Sequence, residues 1–304
     1  MAELKLVAGS TYVVGDMVTL GVFVKPNRGC VLIDSGTDKD SARLVLKLLR
    51  DNGLFVEDII NTHAHADHCG GNAYLTSSAN ATPRGPVEVY ASREEAPFIE
   101  HPWIEPLYFY CGAAPISELK HKFVEATPSK VAHVFTGKDF TIAGHAFQAI
   151  PLPGHTPGMT GIMTEDNVMF CGDALFSEQI IAKHGLPYYT NVRQAMESLS
   201  KLQTLGAQHY VLAHGGQVDN ISVIAQANIN AALENHEVIY NGIAEGTTIE
   251  GLVRQAYLRY PTMRQAPIPY FMTKTIVMAH LTKMQEDKRI RFEVRDGALT
   301  ITKL

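Results

Sequence analysis

The segment from residue 63 to residue 68 reads His-Ala-His-Ala-Asp-His and brings four potential metal ligands into six positions. Borderline divalent metals such as zinc bind neutral imidazole nitrogens and carboxylate oxygens. Four such side chains lie too close along the chain to serve one tetrahedral ion comfortably. On a loop, His63 and His65 can point one way while Asp67 and His68 point another, so the spacing indicates two ions.

Three further ligand-type residues follow short apolar segments and stand beside glycine, in Gly154-His155, Gly172-Asp173 and His214-Gly215. Glycine allows the backbone to bend sharply, so that the neighbouring side chain can turn into a cleft. Ligands on loops at strand ends can converge from distant parts of a chain. The sequence therefore predicts one cluster, which contains His63, His65, Asp67, His68, His155, Asp173 and His214.

The elements that position these ligands follow the same order in two halves of the chain. Apolar runs at Cys30–Ile33 and Val56–Asn61 predict strands, and Thr62–Gly71, rich in His and Gly, is predicted to be a loop after the second. Strands, a helix, a strand and a loop then recur between Phe140 and Gly216. Two similar halves of this kind favour a layered α/β sandwich.

One amphipathic helix is predicted between the first two of these strands. Asp40 or Ser41 can cap its N-terminus, and Gly53 is expected to end it. Helical spacing assigns an apolar stripe to its buried face. The stripe consists of Leu44, Val45, Leu48 and Leu49.

A long connection, Ser92–Lys130, is rich in proline and has aromatic residues clustered between Trp103 and Tyr110. Long connections often form lids or substrate walls. We expect this cluster, together with Tyr188 and Tyr189, to line an apolar pocket, with ordinary core or loop packing as the alternative.

The C-terminal residues form a compositionally distinct part of the chain. From Leu252 to Leu304 there are ten basic and four acidic residues, a net charge of +6, whereas the remainder carries −11. An Asp296-Gly297 hairpin signal follows three predicted helices, a pattern that matches a winged-helix-like unit. We therefore predict a metal-binding domain over 1–221 and a winged-helix-like domain over 222–304. The predicted helices span Ser222–Ala244, Ile249–Tyr260 and Met272–Asp287.

In combination, the motifs resemble the metallo-β-lactamase superfamily over about residues 1–220. Asp34 matches its first motif, the 63–68 segment its second, and His155, Asp173 and His214 its third to fifth. The likeness implies an αββα four-layer sandwich in which Asp173 bridges two ions and Asp34 orients a ligand by a hydrogen bond. It implies one ion held by His63, His65 and His155. It implies a second ion held by Asp67, His68 and His214.

The resemblance also implies a reaction. Two divalent ions, zinc first, with manganese or iron as alternatives, would share a water, lower its pKa and direct it at a carbonyl or phosphoryl centre. Asp67, as proton acceptor, and Asp173, as bridge, are the predicted catalytic residues. The expected reaction is hydrolysis of a small-molecule ester, thioester or lactone.

Two other functions stay open. A ribonuclease or phosphodiesterase could use the basic C-terminal part to hold phosphates. A sulfur dioxygenase-like protein would hold a single iron through His63, His65 and Asp173-type ligation. We favour a small-molecule substrate over a nucleic acid, and metal stoichiometry separates the iron protein from the two hydrolases.

The residues around Asp173 indicate which branches of the superfamily this chain resembles. The best-known antibiotic-degrading branch has cysteine at this position, whereas glyoxalase II, acyl-homoserine lactonases and nucleases have the bridging aspartate. Glyoxalase II-like enzymes place a Lys and a Tyr soon after it, but here Lys183 and His184 are spaced differently. Lactonases place a Tyr three residues after it, where this chain has Phe176.

Several classes of protein are disfavoured by composition. No run of about 18 apolar residues is present, so no membrane span is expected. The N-terminus does not resemble a secretory signal, and we expect a cytoplasmic protein. Without a C-x-x-C pair, free thiols are expected at Cys30, Cys69, Cys111 and Cys171. We interpret Cys69, beside His68, as a small packing residue.

Overall fold

The computed structural model describes residues 3–15, 18–82, 84–259 and 266–304. The first part of the chain forms seven strands and five helices. They are β1 (Lys5–Ala8), β2 (Thr11–Val14), β3 (Leu20–Val24), β4 (Gly29–Ile33), α1 (Lys39–Asp51), β5 (Phe55–Ile60), α2 (Ala66–Cys69), α3 (Asn72–Leu75), β6 (Glu88–Ser92), α4 (Ala96–Glu100), α5 (Ile104–Phe109) and β7 (His133–Phe135).

The second part of the chain again alternates strands and helices, and the C-terminal region is mainly helical. The second part comprises β8 (Asp139–Ile142), β9 (His145–Pro151), β10 (Thr160–Thr164), β11 (Val168–Phe170), α6 (Glu178–His184), α7 (Val192–Thr204), β12 (His209–Leu212) and β13 (Gly216–Val218). The C-terminal region comprises α8 (Ile221–Asn241), α9 (Ile249–Arg259), α10 (Pro267–Glu286), β14 (Ile290–Arg295) and β15 (Ala298–Lys303).

Two large sheets dominate the molecule. The first has the order β1-β2-β3-β4-β5-β6-β7, and the second β13-β12-β11-β10-β9-β8. Within the first sheet, β4, β5, β6 and β7 are parallel neighbours, and in the second sheet β11 and β12 are parallel. The carboxyl ends of parallel strands lie at one edge of a sheet, so the loops that follow them share the same space.

The sheets pack face to face, and helices cover their outer faces. Phe23 and Ile60 of the first sheet share one buried core with Phe147 and Phe170 of the second. On the outer side of the first sheet, α1 and α3 pack against β3 to β6, and α7 and the start of α8 cover the second sheet. The predicted αββα sandwich is therefore confirmed.

The C-terminal helices share a core with the long connection. Phe109 and Leu119 of that connection are buried together with Leu252, Ile276 and Ile301. The three helices and the final hairpin are present, as the sequence predicted. The assignment as a winged helix and the boundary between 221 and 222 stay predictions. The start of α8 contributes to the core of the second sheet, so this region is closely joined to the sandwich.

Helix α1 differs from the sequence prediction in its cap and in its buried face. Its N-cap is Asp38, whose carboxylate accepts from the backbone N–H of Ser41 in a capping box. Leu44 is 63% exposed. Leu44 and Leu46 flank Val45, so spacing alone leaves the choice of helical face ambiguous, and Ala42 completes the stripe that faces the sheet. The buried residues are Ala42, Val45, Leu46 and Leu49.

Three other boundaries also differ or fall outside the described residues. The predicted loop after β5 contains the short helix α2. Helix α10 begins at Pro267, five residues earlier than predicted, because proline is favoured in the first turn, where its missing N–H is unpaired anyway. The predicted end of α9 at Tyr260 lies outside the described residues.

Within the described ranges, none of the helices combines the length and the apolar character that crossing a membrane requires.

Candidate metal centre

Two parallel strands of the first sheet carry one half of the candidate site. Asp34 follows β4, which ends at Ile33, and the 63–68 segment follows β5, which ends at Ile60. Ile33 and Ile60 are paired neighbours in the sheet. The residues that follow the two strands therefore emerge side by side at the same edge.

The second sheet carries the other half, since His155, Asp173 and His214 follow β9, β11 and β12. Glycine is required before two of these ligands. Gly154 has a φ of +135°, and a Cβ there would lie 2.4 Å from the backbone nitrogen of Ala195. Only glycine combines this backbone conformation with so close an approach, so the bend that aims His155 inward depends on it.

All seven ligand-type side chains predicted from the sequence meet in one cluster between the two sheet edges. Their ligand atoms form three overlapping groups, each with all atoms within 4.8 Å of one another. The groups are His63, His65 and His155; His63, His68 and Asp173; and Asp67, His68 and His214. Two groups match the two sets that the family resemblance implied, and the third connects them.

Two buried atoms inside the cluster have no hydrogen-bond partner, His68 Nε2 and Asp173 Oδ1. They lie 3.4 Å apart. A buried polar atom without a partner costs about 1–3 kcal/mol. Imidazole and carboxylate lone pairs that face a common space are the groups that a divalent cation satisfies. The residues present therefore fit a metal centre.

Hydrogen bonds behind the cluster fix the orientation of its imidazoles. The carboxylate of Asp34 accepts from the backbone N–H of Thr62 at 2.8 Å, and its Oδ2 lies 2.8 Å from His68 Nδ1. The Nδ1 of His155 lies 2.8 Å from the backbone carbonyl oxygen of Tyr188. A carbonyl oxygen only accepts, so His155 Nδ1 carries the proton and its Nε2 lone pair faces the cluster.

Burial lowers the pKa of three imidazoles. Desolvation is the largest cause for His63, His65 and His155, and it is reinforced by neighbouring histidines. The pKa of His65 falls to about 3. All three rings are therefore neutral at ordinary pH, and neutral imidazole is the form that binds a metal ion.

Carboxylates have the opposite effect on the other two imidazoles. Burial alone would lower the pKa of His68 and His214, but Asp173 and Asp67 outweigh it. The pKa of His68 is raised well above its usual value, and that of His214 rises to about 10. Without metal, protons on these two rings balance the buried carboxylates, and a cation would replace those protons.

Glu95 is a buried residue that the sequence analysis missed. Its carboxylate accepts from the backbone N–H of Ala64 at 2.8 Å, the hydroxyl of Thr156 at 2.7 Å and the backbone N–H of Gly158 at 2.8 Å. It thus joins the loop of His63 and His65 to the loop of His155. No spacing signal in the sequence indicates this role, because Glu95 lies about 30 residues from one loop and 60 from the other.

The long connection brings further side chains to the site. Glu105, in α5, is buried, and its Oε1 lies 3.5 Å from His65 Nε2. The ring of Tyr188 lies 5.8 Å from that of His65, and its hydroxyl is 3.0 Å from the hydroxyl of Tyr108. The apolar pocket stays a prediction, because Phe109 and Tyr188 are buried in the core shared with the C-terminal helices. Tyr189 is likewise buried, in a separate core behind the site.

Cys69 is packed beneath the 63–68 segment. Its Sγ lies 3.1 Å from the backbone oxygen of Ala64, and its side chain is buried. Burial raises its pKa well above the usual value, and nearby carboxylates raise it further. A thiol that stays protonated is a poor nucleophile, which supports its interpretation as a packing residue.

This chain is similar in sequence to two kinds of known hydrolase. It is 29% identical over 197 residues to a hydroxyacylglutathione hydrolase of Vibrio campbellii, a match that covers 64% of this chain and 61% of that enzyme. It is 22% identical over 287 residues to an atrochrysone carboxyl ACP thioesterase of Pseudocercospora fijiensis, covering 90% of this chain and 72% of the relative. The match to the Vibrio enzyme therefore covers less than two thirds of that protein.

Solved structures share the fold over nearly the whole chain. A beta-lactamase domain protein from Burkholderia ambifaria superposes with a TM-score of 0.73 at 17% identity, covering 99% of this chain and 94% of that one. A metallo-beta-lactamase family protein from Thermus thermophilus gives 0.71 at 19% identity, covering 99% and 97%. At these identities the likeness shows the fold alone.

The family model of the metallo-beta-lactamase superfamily matches residues 14–214. The matched segment contains all seven residues of the cluster as well as Asp34. It covers more than half of the 304 residues. This chain therefore belongs to the metallo-beta-lactamase superfamily.

Proposed function

We propose that this protein is a hydrolase that uses two divalent metal ions to cleave a small-molecule ester, thioester or lactone, with an acyl thioester as the favoured substrate. The observation that carries the proposal is the cluster of seven imidazoles and carboxylates, in which two buried atoms that face one another have no hydrogen bond. Such a cluster is costly for a fold unless cations occupy it.

The two ions are assigned to the two outer groups of the cluster. His63, His65 and His155 would hold the first ion. Asp67, His68 and His214 would hold the second. Asp173 would bridge them, since Oδ1 lies 3.4 Å from His68 Nε2 while Oδ2 lies 3.6 Å from His155 Nε2 and 3.4 Å from His214 Nε2. Zinc suits these ligands, and manganese and iron are the alternatives.

When bound, a pair of divalent ions would lower the pKa of a shared water and polarise the acyl oxygen of the substrate. The side chains supply the remaining functions. Asp67 is the most exposed carboxylate of the cluster, at 30%, and would accept the proton from the attacking water at its Oδ2. Asp34 holds His68 through Nδ1, so that the ring cannot rotate away.

A thioester is favoured for two reasons. Hydroxyacylglutathione and acyl carrier protein substrates, which the names of the relatives specify, both carry the acyl group on a thiol sulfur. The match to the thioesterase also extends over 90% of this chain and so includes most of the C-terminal region. Phe176, whose ring lies 5.9 Å from that of His155, has no hydroxyl to offer a lactone.

The charge distribution does not favour a nuclease. Several basic residues of the C-terminal region are engaged with carboxylates, which reduces the charge available for phosphates. The pairs include Lys283 with Asp287, Arg289 with Glu237, and both Arg291 and Arg295 with Glu293. A mononuclear iron protein is disfavoured because the second group, with Asp67 and His214, is assembled as closely as the first.

Metal analysis and substrate comparison test the proposal together. The purified protein is expected to bind two zinc ions per chain and to hydrolyse acyl thioesters faster than matched oxoesters, lactones or phosphodiesters. Removing the metal with a chelator should abolish turnover, and adding zinc back should restore it. A chain that binds one ion, or that hydrolyses thioesters equally well without metal, would refute the dinuclear proposal.

A further inference from the structure

Glu105 places a carboxylate against the metal cluster from outside the family motifs. It lies in α5, within the long connection, and only 8% of the residue is exposed. Its Oε1 lies 3.5 Å from His65 Nε2. Burial raises the pKa of this carboxyl group well above its usual value, and cations at the cluster would favour its ionised form. The imidazole of His65 is the group that it faces.

His65 presents the opposite nitrogen to the cluster from its neighbours. Its Nδ1 lies 2.8 Å from His155 Nε2 and 3.1 Å from His63 Nε2, so Nδ1 is the nitrogen that faces the candidate first ion. His155 and His68 face the cluster through Nε2 and are held from behind through Nδ1. For His65 the nitrogen behind is Nε2, and Glu105 lies behind it.

An imidazole donates a lone pair to a metal through one nitrogen when the other carries the proton. The acceptor of that N–H decides which tautomer is present and fixes the ring plane. The 3.5 Å separation exceeds a hydrogen bond by about 0.5 Å. Hydrogen bonds of active sites are often long in the ligand-free state and shorten in the complex.

We propose that Glu105 is a positioning residue for the first metal ion. Its carboxylate accepts the Nε2 proton of His65 and thereby holds the Nδ1 lone pair towards the ion. The inference rests on the proposed dinuclear centre. It assigns part of the metal site to the long connection, which packs on the C-terminal helices through Phe109 and Leu119.

Zinc affinity, measured for each of the two equivalents by competition with a chromogenic chelator, tests this role. Glu105→Ala is expected to weaken one equivalent by about 10–100-fold and to leave the other unchanged. Glu118→Ala is the matched control, because Glu118 is an exposed carboxylate of the same connection; it should behave as the wild type. In a His65→Ala background, Glu105→Ala should have no additional effect.

The outcomes separate this inference from the proposed function. If the wild type binds no zinc, the metal centre itself is wrong. If the wild type binds two ions, and folded Glu105→Ala binds both with affinities within about twofold of the wild-type values, only the role of Glu105 is wrong.

Glu105→Gln decides the matter if the alanine variant does not fold. In the zinc-loaded wild type, the Nε2 proton of His65 should give a slowly exchanging, low-field NMR resonance. A neutral amide is a weaker acceptor than a carboxylate, so this resonance should move upfield in Glu105→Gln. An unchanged resonance would overturn the role.

Discussion

Polar residues are buried in the metal cluster, whereas those of the C-terminal hairpin are exposed. In the cluster, His63 and His68 are completely buried, and the hydrogen bonds behind it involve buried partners such as Asp34. In the β14–β15 hairpin, Val294 is 73% exposed and the charged residues pair at the surface. Buried polar groups demand a partner and fix geometry, whereas exposed pairs contribute little. Substitutions should therefore have very different effects in the two regions.

The largest effect is expected at Asp173, the residue proposed to bridge the two ions. Asp173→Ala removes the oxygens that lie 3.4–3.6 Å from the Nε2 atoms of three histidines. Because the metal centre contributes several kcal/mol to the reaction, turnover should fall roughly 1000-fold or more. Elemental analysis should show loss of bound metal. The exposed Asp219→Ala serves as control, and full metal content in Asp173→Ala would refute the cluster as a metal site.

Glu95 is buried like the residues of the metal cluster but is not a proposed metal ligand, so its replacement should affect stability. Glu95→Ala leaves the N–H groups of Ala64 and Gly158 and the hydroxyl of Thr156 buried without an acceptor. At about 1–3 kcal/mol for each unsatisfied group, we expect a loss of about 3–5 kcal/mol in the free energy of unfolding.

Urea unfolding of the metal-free protein measures this loss. The adjacent Glu94→Ala is a matched control, because Glu94 is exposed and its removal should change the free energy by less than about 0.5 kcal/mol. Equal unfolding free energies for the two variants would show that Glu95 does not hold the two loops together.

The sequence predicted the cluster well because the necessary information is local. The 63–68 spacing and the glycines beside His155 and Asp173 are visible without coordinates. Ligands at strand ends then need only the sandwich to bring them together, and the alternation of strands and helices indicated the sandwich.

The supporting residues could not be predicted in the same way. Glu95 and Glu105 reach the site because the long connection folds over it, and that path depends on packing between segments far apart in sequence. The error at Leu44 has a similar origin, since only contact with the sheet decides whether Leu44 or Leu46 is buried beside Val45.

Metal uptake should release protons from the cluster. The pKa of His214 in the metal-free protein is about 10, and that of His68 is also raised, so both rings carry protons at neutral pH. A ligand nitrogen must lose its proton before it binds a metal ion. The apparent zinc affinity should therefore increase as the pH rises to about 10. Titration calorimetry in two buffers of different ionisation enthalpy measures the protons released, and a value of zero would contradict these charge states.

The same shift predicts how the metal-free fold responds to pH. The folded pKa of His214 lies above its ordinary value of 6.5. Its stabilising contribution is therefore complete below pH 6.5 and is lost as pH rises towards about 10. Urea unfolding across this range should show that decrease in the metal-free protein and a smaller one with zinc bound.

The smallest effect is expected from the exposed arginines of the hairpin. Arg291 and Arg295 both pair with Glu293 at 2.6 Å, and more than half of each side chain is exposed. Replacing both with glutamine should leave zinc affinity and thioester turnover unchanged and should alter the free energy of unfolding by less than about 0.5 kcal/mol.

The same double variant tests whether the hairpin contacts nucleic acid. Fluorescence anisotropy with single-stranded RNA at several salt concentrations gives the number of phosphate contacts from the slope of affinity against salt. Because Glu293 already neutralises part of the local charge, wild type and variant should show the same weak binding. A slope that falls by about one for each arginine removed would assign these residues to phosphates. The hairpin would then be a functional surface of the molecule, and the ribonuclease alternative would gain support.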